Sequence, residues 1–283
     1  MSNIVITTES GADLPKNLAD KYCIYTVPMH VLLDGVTYLD GEVTIQETLD
    51  YYYRTKMVPA TSATSSHEYE LFFKKVQQQH PNCTIIHIGY TSKHSLSFQN
   101  AYQASKNVDH VYVIDALNTS GGLTAIVVYA AQQLEKDPSI EPLKLIEKIE
   151  AILPKIKLTF IARNLEFLKE GGSVSNLSDI DLLTFNSWPY AELKDGYIVI
   201  TKNFHGDLRE VVQKFLQEYF TRYDLCKNQL YLIYSIGLSE SVKSFVNYYI
   251  QEQGFSNIIW MEAGAMISTH AGPGSLGIAG IER

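Results

Sequence analysis

The sequence predicts an α/β fold of two domains, with a mostly parallel sheet and flanking helices first and an α+β layer with an antiparallel sheet second. Three observations carry that expectation. At 283 residues the chain exceeds the size at which a single hydrophobic core usually stops growing. Its first half alternates short β-branched runs with helical periodicity, the pattern of strands joined by crossover helices. Its second half sets Lys194-Asp195-Gly196 between alternating residues, a hairpin signature.

In the first half, strands are expected at Asn3 to Thr7, Tyr25 to Leu32, Thr84 to Gly89 and His110 to Asp115. Ser65 and Glu68 have capping-box spacing and precede Tyr69, Phe72, Phe73 and Val76 on one helical face, which marks a helix start. Further helices open near Ser95 and near Thr119 or Ser120, each directly after a strand. The turn residues from Asp34 to Gly41 read as a hairpin or extended loop. Leu143, Ile146, Ile149 and Ile152 keep helical spacing until Pro154 breaks it, so the domain limit is expected near residue 155, dividing the chain into 1–155 and 156–283. Beyond it come a hairpin from Tyr190 to Thr201, a helix from about Asp207 to Tyr223, a strand from Gln229 to Tyr234, a helix from Ser239 to Gln253 and a strand from Ile258 to Glu262.

Composition removes several function classes. A net charge of −8 without a Lys/Arg run argues against nucleic acid and anionic bilayers as partners, because both need clustered cations. No window holds about 18 consecutive apolar residues, so no membrane span is expected. The opening lacks a basic stretch, apolar core and cleavage site, and Cys23, Cys83 and Cys226 are odd in number, widely spaced and flanked by apolar or aromatic residues. Buried reduced thiols and a cytoplasmic location are the expectation. The 19 tyrosines scatter through strand and helix patterns and read as core-edge residues rather than a stacking platform.

Gly272-Pro273-Gly274-Ser275-Leu276-Gly277 matches the letters of a dinucleotide fingerprint, but that motif must open a helix with an acidic residue about 20 positions on. The sequence ends at Arg283. A glycine-proline turn entering a last strand accounts for the glycines and leaves His270 unexplained. No Walker A sequence, G-x-S-x-G, H-E-x-x-H or C-x-x-C occurs, so no cofactor and no metal is expected. His80, His87 and His94 straddle a helix end, a strand and a loop, should not converge, and read as surface or core residues. Hydroxyl residues gather where parallel strands end: Thr8 and Ser10, Thr91 to Ser97, Thr119 with Ser120. Strand ends and helix N-termini form anion-binding crevices in open parallel sheets, and the same residues are also ordinary helix caps; both readings stand.

Five segments decide further. They are Thr8-Glu9-Ser10-Gly11-Ala12-Asp13-Leu14-Pro15, Pro59-Ala60-Thr61-Ser62, Ser92 to Ala101, Leu165 to Gly172, and Thr269-His270-Ala271-Gly272-Pro273-Gly274. In order and spacing, over the whole chain, they resemble the DegV family. The resemblance implies two α/β domains enclosing a long-chain fatty acid, palmitate- or oleate-like, in a tunnel at their interface. It also implies a partner, a separate fatty-acid kinase to which the carboxylate is presented, and no catalysis by the binding protein alone. Thr61, Ser95 and His270 match the family's head-group contacts, and Ser62 and Ser92 are neighbours that complete the network.

The chain also departs from the family pattern. Glu9 stands for the usual Asp, Leu96 for Gly, and Ala63-Thr64 for Gln-Pro. Ser173 and His205 stand where arginines are usual, which favours free-acid binding over kinase coupling because an acyl phosphate carries more charge. His205 is expected to hold negative charge only when protonated. Burying about 14 methylenes at roughly 0.8 kcal/mol each contributes on the order of 11 kcal/mol before ordering costs, so the tail supplies affinity and the donors supply orientation. Two other readings remain: a hydrolase using Ser95 as nucleophile and His270 as base, and a DegV fold that binds another lipid.

Overall fold

The computed structural model describes residues 3–163, 165–172, 174–175 and 187–283. Up to residue 155 the chain forms β1 (Ile4–Glu9), α1 (Lys16–Tyr22), β2 (Tyr25–Val27), β3 (His30–Leu33), β4 (Val36–Leu39), α2 (Ile45–Thr55), β5 (Ala60–Ser62), α3 (Ser66–Gln79), β6 (Thr84–Gly89), α4 (Ser97–Ser105), β7 (Val111–Asp115), α5 (Ser120–Lys136) and α6 (Pro142–Ile152). Strands in the order β2-β1-β6-β7 form a wholly parallel sheet.

The expected single strand from Tyr25 to Leu32 is two strands in two sheets. Pro28 has no N–H to give a ladder, so β2 ends before it and β3 begins after it in a separate antiparallel sheet, β4-β3-β5. Asp34-Gly35 turns β3 into β4, as the turn residues imply.

The capping box at α3 is present: Ser65 Oγ accepts from the Glu68 N–H at 3.3 Å and Glu68 Oε2 accepts from the Ser65 N–H at 2.7 Å. Thr44 and Glu47 form the same device at the start of α2, a helix the sequence reading does not include. Helix α4 begins at Ser97, because Ser95 Oγ takes the Ser97 N–H at 3.1 Å and holds the preceding turn open.

The remainder comprises β8 (Ile156–Ile161), α7 (Leu165–Glu170), β9 (Ser187–Lys194), β10 (Tyr197–His205), α8 (Leu208–Arg222), β11 (Leu230–Tyr234), α9 (Glu240–Glu252), β12 (Ile258–Glu262), α10 (Ala265–Ala271) and β13 (Leu276–Ile281). They build a six-stranded sheet, β10-β9-β8-β13-β11-β12, antiparallel except where β11 meets β12. The β9–β10 hairpin turns at Asp195-Gly196 with φ of 50° and 83°, the paired left-handed conformation such turns need. Among the described residues, no strand from residues 3–155 pairs with one from 156–283.

Helix α5 lies between the two larger sheets. It packs on β1 and β6 on one side and on β8, β11 and β13 on the other, and 12 of its 17 residues are buried. A helix that is apolar all round is one covered all round, and here a continuous core runs from Ile6, Ile86 and Ile88 through Leu123, Ile126 and Val127 to Leu158, Tyr231 and Ile233. Gly121 allows the close approach, since a methyl there would collide with Ile233, and Gly122 has the same relation to the Asn118 amide.

The cysteines differ from expectation. Cys83 is buried, but Cys226 is half-buried and Cys23 is exposed, because Cys23 ends α1 in the left-handed conformation at φ 51° with its side chain outward. No helix among the described residues is long and apolar enough to cross a membrane.

Gly121→Ala should destabilise the fold by about 1–3 kcal/mol, the usual effect of overpacking, despite alanine's better helix propensity. A thermal melt reads this directly, and an unchanged or raised Tm would show that α5 is not in tight contact with β11.

Candidate ligand-binding site

Two adjoining cavities lie where α10, β5 and the loop after β6 meet the second sheet. One, of about 260 Å³, is lined by Thr61, Ser62, Ser95, His94, Met29 and Leu96, with Gly171 beside them. The other, of about 60 Å³, is apolar, lined by Leu158, Phe160, Ile198, Ile233 and Ile267, with Thr119 and Ser120 at the start of α5. Tyr90 and His270 line both, so they mark the junction.

Each polar group arrives by a definite structural route. Thr61 is the middle residue of β5, opposite Val31 of β3. His270 sits near the end of α10, a helix fixed at its start by two carboxylates. Asp13 Oδ1 accepts from the Gly264 N–H at 2.7 Å and Asp40 Oδ1 from the Met266 N–H at 3.2 Å. Asp13 Oδ2 also accepts from Ser120 Oγ at 2.5 Å, which ties α10 to the start of α5. Burial pushes the Asp13 carboxyl up to about 8, with Asp40 pushing the same way and the Ser120 and Gly264 hydrogen bonds opposing. Burial raises the Asp40 carboxyl as well.

At the other end of the helix, His270 Nε2 meets Thr61 Oγ1 at 3.0 Å. The ring also bonds to the Gly171 backbone, an interaction that favours the charged ring and therefore one in which the imidazole donates. A methyl on Gly171 would lie 2.5 Å from His270 Nδ1, which explains why the chain has glycine there. With Nδ1 donating to Gly171, Nε2 accepts from the Thr61 hydroxyl. Although part of the ring opens onto the cavities, burial pushes its pKa down to about 4; the nearby His94 adds to the shift and Gly171 opposes it.

Four of the six residues singled out from sequence, Thr61, Ser62, Ser95 and His270, line the polar cavity. The other two do not line either cavity. Ser92 is half-buried with its N–H on Asp115 Oδ1 at 3.2 Å, because the loop leaving β6 turns first toward the end of β7. His205 is exposed at the far end of β10. Ile198, near the start of that strand, lines the apolar chamber, and seven residues of extended chain carry His205 about 23 Å further. Ser173 lies outside the described residues.

The sequence reading missed Tyr90, Met29 and His94. Tyr90 directly follows the last residue of β6, the position at which open parallel sheets meet ligands, and that rule points to it. His94, for which the sequence predicts a surface or core position, lines the cavity, with Nε2 taking the Ile198 N–H at 3.0 Å. His80 and His87 stay elsewhere, on Tyr25 and Thr7 respectively.

The geometry defines an α/β protein with two larger sheets and one small one, and two adjoining cavities, one polar and one apolar. A family model described as "Uncharacterised protein, DegV family" matches residues 3–283, and the chain belongs to the DegV family. It is 26% identical over 282 residues to a DegV domain-containing protein of Caldanaerobacter subterraneus, covering 98% of each chain. It is 24% identical to a protein of Thermotoga maritima named fatty acid-binding protein, covering 99% of this chain and 97% of that one. Its fold matches the structure titled for fatty acid binding of a DegV family protein from Thermus thermophilus, with a TM-score of 0.88 at 22% identity over 99% of this chain and 100% of that one.

The lowered pKa of His270 gives a direct check. Its ring should remain neutral as pH falls from 8 and charge only as pH passes through about 4, well below an unperturbed histidine. Histidine ring ¹⁵N chemical shifts recorded against pH read this; a midpoint near 6.5 would mean that the ring is solvated.

Proposed function

We propose that this protein binds one long-chain fatty acid, with its carboxylate in the polar cavity and its acyl chain in the apolar chamber, and performs no chemistry on it. The observation that carries the reading is the shared junction at Tyr90 and His270, where a hydroxyl- and imidazole-lined cavity adjoins an apolar one. An amphiphile with one small polar head and an apolar tail fits that division. The fatty-acid binding of family relatives supports the same ligand class.

The hydrolase alternative loses support from the bonding pattern. Ser95 Oγ is held by the Ser97 N–H, and His270 Nε2 is held by Thr61 rather than by Ser95. The partner on the other side of the ring is the Gly171 backbone and not a carboxylate. Presentation of the carboxylate to a separate fatty-acid kinase, implied by the family resemblance, draws no support from the exposed His205, so the proposal ends at binding. It includes two domains, 1–155 and 156–283, supported by the absence of shared sheet pairing between their described strands. It also includes a cytoplasmic location, which suits the exposed thiol of Cys23.

Protein purified from a bacterial host should carry about one equivalent of fatty acid, seen by denaturing extraction and mass spectrometry, because a filled apolar cavity is more favourable than a wet one. Protein that is ligand-free and takes up neither palmitate nor oleate would sink the reading.

Thr61→Val and Ser95→Ala should each weaken palmitate binding by about 1–3 kcal/mol, as when a buried charged acceptor loses a donor. Both should fold normally. Parent-like affinity in both variants would place the carboxylate elsewhere.

A further inference from the structure

We infer that His94 is a ligand-selecting residue of the polar cavity, a second imidazole whose Nδ1–H recognises a carboxylate there. This rests on the fatty-acid reading and deepens it by naming the group that distinguishes the acid from an uncharged lipid of the same length. The observation behind it is a difference between the cavity's two imidazoles. His270 has both nitrogens committed, one to Thr61 Oγ1 at 3.0 Å and the other to the Gly171 backbone. His94 has one committed. Its Nε2 receives the Ile198 backbone N–H at 3.0 Å. A backbone N–H can only donate, so Nε2 must be unprotonated and a neutral His94 carries its proton on Nδ1. Among the described residues that N–H has no hydrogen-bond partner, while the residue itself lines the cavity. Burial holds the ring's pKa below the ordinary histidine value, which keeps this single-donor form dominant near neutrality.

Orientation is supplied from the second sheet. Ile198 lies near the start of β10 and itself lines the apolar chamber, so one residue touches the tail space with its side chain and fixes the head-group imidazole with its backbone. Tyr197 meets the His94 ring edge-on with centroids 6.0 Å apart, which limits rotation of the imidazole. The nearby ammonium of Lys93 sits over the Tyr197 ring at 5.5 Å and does not line the cavity. The Thr61 hydroxyl, turned toward His270 Nε2, donates to a carboxylate only by giving up that bond. His94 therefore offers a carboxylate a donor that needs no rearrangement of the Thr61–His270 pair. A hydrogen bond to a charged acceptor is about twice as strong as one to a neutral acceptor, so the contribution appears for an acid and is small for an alcohol.

The test compares palmitate with 1-hexadecanol, by displacement of a fluorescent fatty acid, in the parent, His94→Leu and His94→Gln. His94→Leu should reduce the preference for palmitate over hexadecanol by about ten- to a hundredfold. His94→Gln should restore most of it, since the glutamine oxygen can take the Ile198 N–H and its amide N–H can donate. An unchanged preference in His94→Leu, or equal loss of both ligands, would reduce His94 to an anchor of the hairpin and overturn the inference. Ring ¹⁵N spectra of the parent test it without any variant. His94 should show the Nδ1–H form, and that proton should shift downfield and become protected from exchange on adding palmitate but not hexadecanol. An indifferent Nδ1–H overturns the inference even if the variants fail to fold. A parent that binds no palmitate defeats the fatty-acid reading itself, whereas a parent that binds it with His94 uninvolved defeats only this step.

Discussion

The burial of α5 on both sides is the constraint on which the rest of the molecule depends. Two sheets that cover one helix are held apart by it and cannot close that gap without expelling it. The helix begins with Ser120, Gly121 and Gly122, so its first turn is thin just where β11 approaches. Further along, Leu123, Ile126 and Val127 fill the space completely. The apolar chamber lies beside the thin end, bounded by Thr119 and Ser120 on the helix and by Leu158, Ile233 and Gly277 on the sheet. The apolar space is thus a product of residue size along one helix, small at the start and large beyond it.

The second support is α10, which is short and is held at both ends by side chains from distant parts of the sequence. Asp13 and Asp40 take N–H groups at its start, where the exposed donors and the helix dipole favour a carboxylate. Taking two carboxyl groups out of water has a cost, visible in their raised pKa values. That cost is tolerated because the same groups fix the angle at which His270 leaves the helix. At the far end, Thr61 and Gly171 hold the ring from two sides. The histidine's neutrality follows from this enclosure rather than from any feature of its sequence neighbours.

Much of the fold was legible in the sequence because its signals are local. The Ser65–Glu68 capping box, the Asp195-Gly196 turn and the β-branched run Thr84 to Gly89 each specify their element within a few residues, and each is found where expected. The break at Pro28 was not read, because a proline between two apolar runs signals a strand end without saying that the next strand joins a different sheet. Of the residues that line the polar cavity, Thr61, Ser62, Ser95 and His270 could be read because motifs carry them. His94 could not, since its ring is held by a backbone N–H 104 positions away, and no spacing rule reaches that far. His205 was singled out because it stands where the family pattern has an arginine, and β10 ends with it exposed, away from both cavities.

The small β4-β3-β5 sheet has a consequence of its own. Thr61 faces the cavity only because β5 pairs with β3 in a single register, His30 with Ser62, Val31 with Thr61 and Leu32 with Ala60. Side chains alternate along a strand, so a slip of one residue would turn Thr61 over and bring Ala60 or Ser62 to its place. β5 contributes no residue to the large buried cores, so such a slip leaves them intact. Insertions or deletions in the short segment between α2 and β5 are therefore a route by which lineages of this fold could exchange the group that faces the cavity without disturbing the framework that encloses it.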